Sequence, residues 1–322
     1  MNNKINIAVI GAGNMGRHHA RNYYELETAE LIAIADADES KKELAEKFGC
    51  KFYKDYKEML EKEKIDAVSI AVPTKFHKQV AFDVIKKGKH ILLEKPIADN
   101  IQDAEEIIKE AKAYKIKLMI GHIERFNPAV QKLKELIDVG KLGQISSIIA
   151  RRVGLFIPQI QNVNVILDLA VHDIDVINYL VGMEPKIVHK NSGEALSSLN
   201  GVDDYAELFL KYDQGISGFI QVNWITPIKI RNLSVTGTKG YAELNYITQE
   251  LVVHESNYNP AYQDFKDFVV KFGTPNEIKL NIKIEEPLKL ELKHFIDCIL
   301  ENKEPLVSGE DGLSALRVAL GD

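Results

Sequence analysis

The stretch INIAVIGAGNMGRHHARNY, residues 5–23, decides the fold of the N-terminal region. An apolar run leads into Gly11, Gly13 and Gly16, and strongly helix-forming residues follow. Between a strand and a helix, the first glycine makes the tight turn, the second lets a pyrophosphate approach, and the third lets the helix pack closely. The helix N-terminus then attracts phosphate. The pattern predicts a dinucleotide site, with a purely structural tight turn as the alternative.

A second apolar run, LIAIAD, ends at Asp36, 20 residues after Gly16. This is the spacing of the acid that accepts hydrogen bonds from the adenosine ribose. A carboxylate there repels a 2′-phosphate, so we predict NAD rather than NADP. Three nearby polar side chains would weaken that preference: Arg17, Ser40 and Lys41. The alternative role for Asp36 is a helix N-cap, which suits Asp38 equally well.

Composition restricts the class of protein. The chain has 322 residues, 45% of them hydrophobic and 27% charged, which is typical of a globular protein with two domains. A net charge of −6 argues against a general nucleic-acid binder. Cys50 and Cys298 have no metal-ligand spacing, so we expect reduced thiols and no disulfide. Without a signal-peptide pattern or a membrane-length apolar run, we expect a cytoplasmic protein that does not bind membranes.

Short apolar runs alternate with helical patterns over residues 1–121. Strands this continuously apolar have no solvent-exposed face. They therefore predict a doubly wound parallel sheet of Rossmann type in an α/β fold. Residues 122–322 instead contain alternating stretches such as YAELFLKY and IRNLSVTG, which predict an α+β domain with a mostly antiparallel sheet. Helices predicted at 287–301 and 309–320 are compatible with packing on either domain.

Two further strands bring polar residues to the carboxyl edge of the predicted parallel sheet, where such folds bind ligands. AVPTKFH supplies Pro73, Thr74 and His77, of which His77 has packing or capping as its alternative role. HILLEKP sets Lys95 at the same edge, and the following proline restricts the geometry of that lysine. We predict a proton-donating or hydroxyl-polarising role for Lys95, against a solvated strand-end lysine.

A predicted amphipathic helix, VILDLAVHDIDVINYL, places Asp168 and His172 four residues apart on one face. A carboxylate there can orient an imidazole, and histidine is well suited to proton transfer near neutral pH. A structural histidine is the alternative. A metal cluster with Asp173 and Asp175 is disfavoured because Asp173 points away from Asp168, so we expect no metal site.

Together the motifs G-A-G-N-M-G, V-P-T-x-x-H, E-K-P and D-x-x-x-H resemble the glucose-fructose oxidoreductase / inositol dehydrogenase (Gfo/Idh/MocA) family over nearly the whole chain. The resemblance implies a Rossmann domain, a second domain whose open sheet builds homodimers or homotetramers, and a frequently cis Lys-Pro bond. It also implies that Lys95, Asp168 and His172 are the catalytic group. The implied cofactor-binding residues are Gly11, Gly13, Asn14, Met15, Gly16, Asp36, Pro73, Thr74, His77, Glu94 and Lys95.

Two more stretches, residues 120–130 and 222–246, resemble the members of that family that oxidise nucleotide-linked amino sugars such as UDP-N-acetylglucosamine. In this interpretation cations contact the substrate pyrophosphate and an aromatic ring stacks on a substrate ring. The candidate substrate-binding residues are Arg125, Trp224, Lys229 and Arg231. The alternative is that Trp224 belongs to the core and the cations lie on the sheet surface.

The leading hypothesis is therefore hydride transfer between nicotinamide and a secondary hydroxyl of a sugar, with NAD as cofactor. A first alternative keeps the site but takes a free polyol or sugar, as the inositol dehydrogenases do. A second alternative is a non-catalytic NAD-binding regulatory protein. The complete set of Lys95, Asp168 and His172 argues against that second alternative, because a sensor needs no proton relay.

Overall fold

The computed structural model describes residues 4–155, 164–196, 201–255 and 276–321. The described residues form two compact units. The first comprises those within Met1–Phe126 and Glu286–Leu320, and the second comprises those within Asn127–Glu285 together with Gly321.

The first unit contains a six-stranded sheet with the order β3-β2-β1-β4-β5-β6, in which every neighbouring pair is parallel. Its central strands are buried on both faces, which confirms the prediction made from their continuous apolar runs. The order reverses between β1 and β4, the point where Rossmann folds bind ligands. The strands are β1 (Ile5–Ile10), β2 (Ala29–Ala35), β3 (Lys51–Tyr53), β4 (Ala67–Ile70), β5 (His90–Glu94) and β6 (Leu118–Gly121).

Helices connect these strands, and short polar side chains start several of them. Asp38 caps the short 3₁₀ turn Glu39–Lys41, Asp55 caps α3 and Asn100 caps α5, each by accepting a hydrogen bond from a backbone N–H two or three residues on. The helices are α1 (Asn14–Glu25), α2 (Lys42–Phe48), α3 (Tyr56–Lys62), α4 (His77–Lys86) and α5 (Ile101–Ala113).

The second unit is built on an eight-stranded sheet. It is mostly antiparallel, as predicted, with one parallel pair between β7 and β10. Buried and exposed residues alternate along β9 and β10, so one face of the sheet is covered and the other is open. The strands are β7 (Ile145–Val153), β8 (Ile187–Gly193), β9 (Tyr205–Lys211), β10 (Ser217–Asn223), β11 (Ile230–Gly237), β12 (Gly240–Asn245), β13 (Glu250–Glu255) and β14 (Asn276–Lys279).

Two helices cover the buried face of this sheet. Asn127 caps the first, α6 (Pro128–Asp138), by accepting from the Ala129 N–H. The second is α7 (Val171–Val181), and a π-helical turn, Ile166–Ala170, precedes it. The predicted helix at 165–181 therefore exists, but its first turn is wider than an α-turn.

The last two helices, α8 (Pro287–Leu300) and α9 (Gly309–Leu320), belong to the first unit. Glu286, at the N-terminus of α8, accepts hydrogen bonds from Arg21 and Asn22 of α1. The structure thus answers the question that the sequence leaves open. The predicted boundary at residue 121 places the segment 286–320 in the second domain, but this segment packs on the parallel sheet and its helices instead.

Two further properties of the described residues concern their helices and their cysteines. None of their helices has the length and apolar character needed to cross a bilayer. Cys50 is half-buried and Cys298 is buried, both as free thiols.

The turn between β1 and α1 has no room for side chains at two of its glycines. Gly11 has φ of +92°, and a Cβ atom there would lie 2.6 Å from the Ala71 carbonyl oxygen. A Cβ atom at Gly16 would lie 1.7 Å from the Gly11 carbonyl oxygen. Gly13 differs, because its φ is −69° and nothing lies within 4 Å of its Cβ position. Gly11 and Gly16 are therefore required for packing, whereas Gly13 is not.

We expect Gly16→Ala to destabilise the first unit, because the added methyl group meets a backbone oxygen that cannot move without displacing the loop. Overpacking of this kind costs about 1–3 kcal/mol or more, and the thermal midpoint should fall by several degrees, at about 2–4 °C per kcal/mol. Differential scanning fluorimetry measures the change. Gly13→Ala is the matched control and should leave the midpoint within about 1 °C. Equal midpoints for the two variants would contradict this account.

Candidate functional site

The N-terminus of α1 offers an open anion site. Gly13 is the N-cap and supplies no capping side chain. Asn14 is exposed and its side-chain oxygen accepts from Arg17 at 2.8 Å, while Met15 is half-buried. The uncapped first-turn N–H groups and the positive end of the helix dipole suit a pyrophosphate.

Asp36 is fixed beside this loop by two backbone hydrogen bonds. Its Oδ2 accepts from the Ala12 N–H at 2.6 Å, and its Oδ1 accepts from the Asp38 N–H at 2.9 Å. The capping role falls to Asp38, which accepts from the Ser40 N–H at 3.0 Å. Each Asp36 oxygen keeps a lone pair that a ribose hydroxyl can use. Asp36 is thus fixed after the end of β2 with lone pairs available to a ribose hydroxyl, and it does not serve as a helix cap.

A cavity of about 620 Å³ opens at the carboxyl ends of β1, β2 and β4. This volume is within the usual range for small-molecule sites. Its walls include the apolar side chains of Val72, Pro73 and Val80, and Asp36 lies on its polar side. The cavity lies at the reversal of strand order, beside the glycine loop, and is suited to the adenosine half of a dinucleotide.

His77 does not face this cavity directly, because only 1% of its surface is exposed. Its Nε2 lies 3.0 Å from the Val72 carbonyl oxygen and its Nδ1 lies 3.0 Å from the Pro96 carbonyl oxygen. Burial lowers the pKa of His77, which favours a neutral ring that donates to one of these two oxygens. The predicted cofactor contact is therefore replaced by a role in packing, which ties the Pro73–Thr74 turn to the segment after β5.

Lys95 is half-buried at the end of β5, and the Lys95–Pro96 peptide bond is cis. The preceding Glu94 is only 7% exposed. Burial acts to raise the pKa of Glu94, but the hydrogen bond from His19 and the charge of Lys95 lower it overall. A buried carboxylate that stays ionised therefore lies directly before the candidate catalytic lysine.

In the second unit, Asp168 lies within the π-helical turn and His172 in the first turn of α7, and both are half-buried. The adjacent Asp173 is fully buried and paired with Arg152 of β7, whose Nε and Nη2 donate at 2.8 and 3.0 Å. The Arg152 guanidinium also stacks 4.9 Å from the centre of the Tyr246 ring. This bidentate pair fixes the start of α7, on which His172 stands.

Two of the four predicted substrate-binding residues are buried. Arg125 is 4% exposed and donates to Asp311 at 3.0 Å and to the Leu306 carbonyl oxygen at 3.2 Å, within the first unit. Trp224 is 3% exposed and belongs to the core of the second unit. Both predictions are therefore corrected in favour of packing roles, because neither side chain presents its polar or ring surface to a ligand.

The other two substrate candidates are accessible. Lys229 is exposed before β11, and Arg231 is half-buried on it. The Arg231 guanidinium donates to the carbonyl oxygens of Val153 and Ile230. Among the residues that the structure describes, no three metal-ligating side chains are grouped so as to hold an ion.

Sequence reasoning missed His19, Ser69 and Arg152. His19 and Ser69 are fully buried polar residues that contact each other at 2.6 Å, and Arg152 is 5% exposed. A signal for the first two exists: a histidine on the packed face of α1, and a serine inside the apolar run of β4. Arg152 has a weaker signal, since a cation on a strand normally points to solvent.

Comparisons with known proteins agree with this architecture. Residues 5–122 match the GFO/IDH/MocA oxidoreductase family with an NAD-binding Rossmann fold, and residues 130–243 match the GFO/IDH/MocA C-terminal domain. The chain therefore belongs to the Gfo/Idh/MocA family of oxidoreductases, as the motifs indicate. Its cofactor is NAD, which the geometry around Asp36 fits.

Individual relatives span nearly the whole chain. A myo-inositol 2-dehydrogenase of Thermotoga maritima is 28% identical, covering 97% of this chain and 93% of that protein. A UDP-N-acetylglucosamine 3-dehydrogenase of Acidithiobacillus ferrooxidans is 26% identical, covering 97% and 94%. The solved structure of a UDP-N-acetylglucosamine 3-dehydrogenase from that organism superposes with a TM-score of 0.87, at 24% identity over 98% of this chain and 96% of that one. The superposition establishes the shared fold.

We expect Asp36→Ser to reduce the preference for NADH over NADPH by about tenfold or more, which corresponds to about 1.4 kcal/mol. The substitution removes the charge that repels a 2′-phosphate and weakens the ribose contact. Fluorescence titration of both reduced cofactors measures the two Kd values.

Asp55→Ser is the matched control, because Asp55 lines the same cavity and serine preserves its cap on α3. Its effect on the preference should be below about threefold. An unchanged preference in Asp36→Ser would remove Asp36 from cofactor selection.

Proposed function

We propose that this protein is an NAD-dependent dehydrogenase that oxidises a secondary hydroxyl of a nucleotide sugar, with UDP-N-acetylglucosamine as the first substrate to test. The observation that carries the proposal is the position of Lys95. It follows β5 at the same sheet edge as the Gly11 turn and Asp36, in a chain that belongs to an NAD-dependent oxidoreductase family. The near-complete alignment with a UDP-N-acetylglucosamine 3-dehydrogenase supports the choice of sugar.

In the proposed reaction each residue has one task. Bound NAD supplies the acceptor for the hydride that leaves the carbinol carbon. His172 takes the hydroxyl proton, and Asp168 orients the imidazole and stabilises the imidazolium that forms. Lys95 donates a hydrogen bond to the substrate oxygen and shares in the proton relay. Lys229 and Arg231 are the cations proposed for the substrate diphosphate, whereas Arg125 and Trp224 are left out because they are buried.

A free polyol is the second candidate substrate. The specific observation in its favour is the 28% identity to a myo-inositol 2-dehydrogenase over 97% of this chain. A polyol has no diphosphate, so it would not depend on the cations of β11. Neutralising Lys229 therefore separates the two candidates, since only turnover of a nucleotide sugar would fall.

We expect His172→Ala and Lys95→Ala each to lower kcat by about 10²- to 10⁴-fold, with the Kd for NADH within about threefold of wild type. The assay follows NADH formation with UDP-N-acetylglucosamine, other UDP-sugars and myo-inositol. Lys86→Ala, at the exposed end of α4, is the control and should retain full activity. Undiminished kcat in either active-site variant would exclude that residue. Tight NADH binding without turnover of any sugar would favour the regulatory alternative.

We further propose that the open face of the second-unit sheet joins two copies of this chain. The row of residues paired across four neighbouring strands is aromatic or aliphatic: His189, whose ring stacks on Phe209, then Phe209, Phe219 and Ile149. The Phe209 and Phe219 rings lie 5.0 Å apart, and Phe219 and Ile149 are 43% and 49% exposed. Contiguous apolar surface of this kind is typical of an interaction site.

We expect Phe219→Glu to convert the assembly to monomers, because it buries an unpaired charge at the contact. Size-exclusion chromatography with light scattering gives the mass directly. Val139→Glu, at a solvent-exposed position after α6, is the control and should leave the mass unchanged. A wild-type monomer, or an unchanged oligomer in Phe219→Glu, would contradict the proposed interface.

A further inference from the structure

His19 joins α1, the helix proposed to bind the cofactor phosphates, to β5, the strand directly before Lys95. It stands on α1, one turn after Gly16, and its side chain is fully buried. Its Nε2 lies 2.8 Å from Glu94 Oε1 at the end of β5, and its Nδ1 lies 2.6 Å from Ser69 Oγ of β4. The His19 side chain therefore connects α1 to two strands of the first unit, β4 and β5.

Hydrogen-bond chemistry assigns the proton on this ring. Glu94, when ionised, can only accept, so Nε2 must carry a proton and donate it. Nδ1 of a neutral imidazole is then an acceptor, which the Ser69 hydroxyl satisfies as a donor. Glu94 thereby selects the tautomer, and Ser69 is compatible with it because its hydroxyl can donate to Nδ1.

Glu94 connects this bond to Lys95. Its second oxygen, Oε2, accepts from the Lys95 backbone N–H at 3.3 Å. On its other side, Gly121 of β6 lies so close that a Cβ atom there would be 3.2 Å from the Glu94 carboxylate. The carboxylate has donors on two sides and backbone on a third, so it can adopt few positions. Because the Lys95 N–H donates to this carboxylate, the position of Glu94 also restricts the position of the Lys95 main chain.

We propose that His19 is a positioning residue for Lys95: acting through Glu94, it holds the lysine-bearing end of β5 in a fixed place relative to the helix that binds the cofactor phosphates. The inference rests on the proposed function, in which Lys95 meets the substrate oxygen beside the nicotinamide. Such sites require functional groups to be held within about 0.5 Å of their productive positions, and a misplacement of about 1 Å costs up to about 10²-fold in rate.

A purely stabilising role is the competing explanation. A hydrogen bond to a buried carboxylate contributes little net stability, because taking the charge out of water costs free energy that the bond offsets only in part. His19, however, lies on α1, and Glu94 lies on β5. In the proposed function these are the two elements that must be aligned for hydride transfer. A stabilising pair would change the folded fraction only, whereas a positioning pair changes kcat of the folded enzyme. The two roles are therefore separable by experiment.

The test uses two substitutions of His19 whose side chains differ in length. His19→Gln places an amide N–H near the position of Nε2 and keeps the bond to Glu94. His19→Asn keeps a polar contact with Ser69 but ends short of Glu94. His18→Asn is the control, because His18 lies on the half-buried side of the same helix turn. For each variant we would measure the thermal midpoint, the Kd for NADH, and kcat well below that midpoint, with UDP-N-acetylglucosamine or, if the wild-type enzyme does not oxidise it, with myo-inositol.

We expect His19→Asn to lower kcat by about 10- to 100-fold while the Kd for NADH stays within about threefold. His19→Gln should recover kcat to within about threefold of wild type, and His18→Asn should not change it. If His19→Asn fails to fold, the double variant His19→Asn/Glu94→Gln removes the pair without leaving a buried charge, and we expect the same loss of kcat from it. Wild-type kcat in NADH-bound His19→Asn, or equal losses in the Gln and Asn variants, would overturn the proposal.

A substrate-independent measurement separates this inference from the proposed function. If the wild-type protein turns over no sugar or polyol, the proposed function fails, and crystal structures of the NADH complexes then decide the role of His19. Displacement of the Lys95 main chain by about 0.5 Å or more in His19→Asn, but not in His19→Gln, supports positioning. An unmoved Lys95 in both variants refutes it.

Discussion

The close approach of α1 to its own preceding turn is the constraint on which the first unit depends. The backbone of Gly16 rests against the Gly11 carbonyl group, and Gly11 itself rests against Ala71 after β4. This contact fixes where α1 starts, which in turn fixes the direction of its free N–H groups over the sheet edge. It also fixes how deep His19, one turn later, reaches toward β4 and β5. The proposed phosphate site and the position of Lys95 thus depend on the same contact.

Much of this unit is predictable because its signals are local. Strands buried on both faces read as continuous apolar runs, and the glycine spacing with Asp36 20 residues later defines the first half of the sheet. The choice between Asp36 and Asp38 as helix cap needs the structure, since both are acids next to a helix start. Their roles differ because Asp36 faces the Ala12 N–H across the sheet edge, and only folding brings those groups together.

Other features have no local signal. Strand β3 is three residues long and half-exposed, too short to show a period. Arg125 is matched to Asp311, 186 residues away, and sequence alone gives no reason to pair them. A tryptophan such as Trp224 serves equally well in a core or against a ligand ring. The π-helical turn before His172 is likewise hidden, because an insertion of this kind preserves the apolar pattern on either side of it.

In each unit a buried, hydrogen-bonded carboxylate lies next to a candidate catalytic residue. Glu94 and His19 precede Lys95, and Asp173 with Arg152 follows His172. Apolar residues would serve stability at least as well, because taking charges out of water offsets their attraction. Apolar contacts are also non-directional, whereas a bidentate guanidinium or a tautomer-selected imidazole accepts one geometry. Glu94 is the last residue of β5, and Asp173 lies in the first turn of α7, directly after the π-helical turn. Directional buried bonds at these two element ends therefore fix the backbone beside Lys95 and His172.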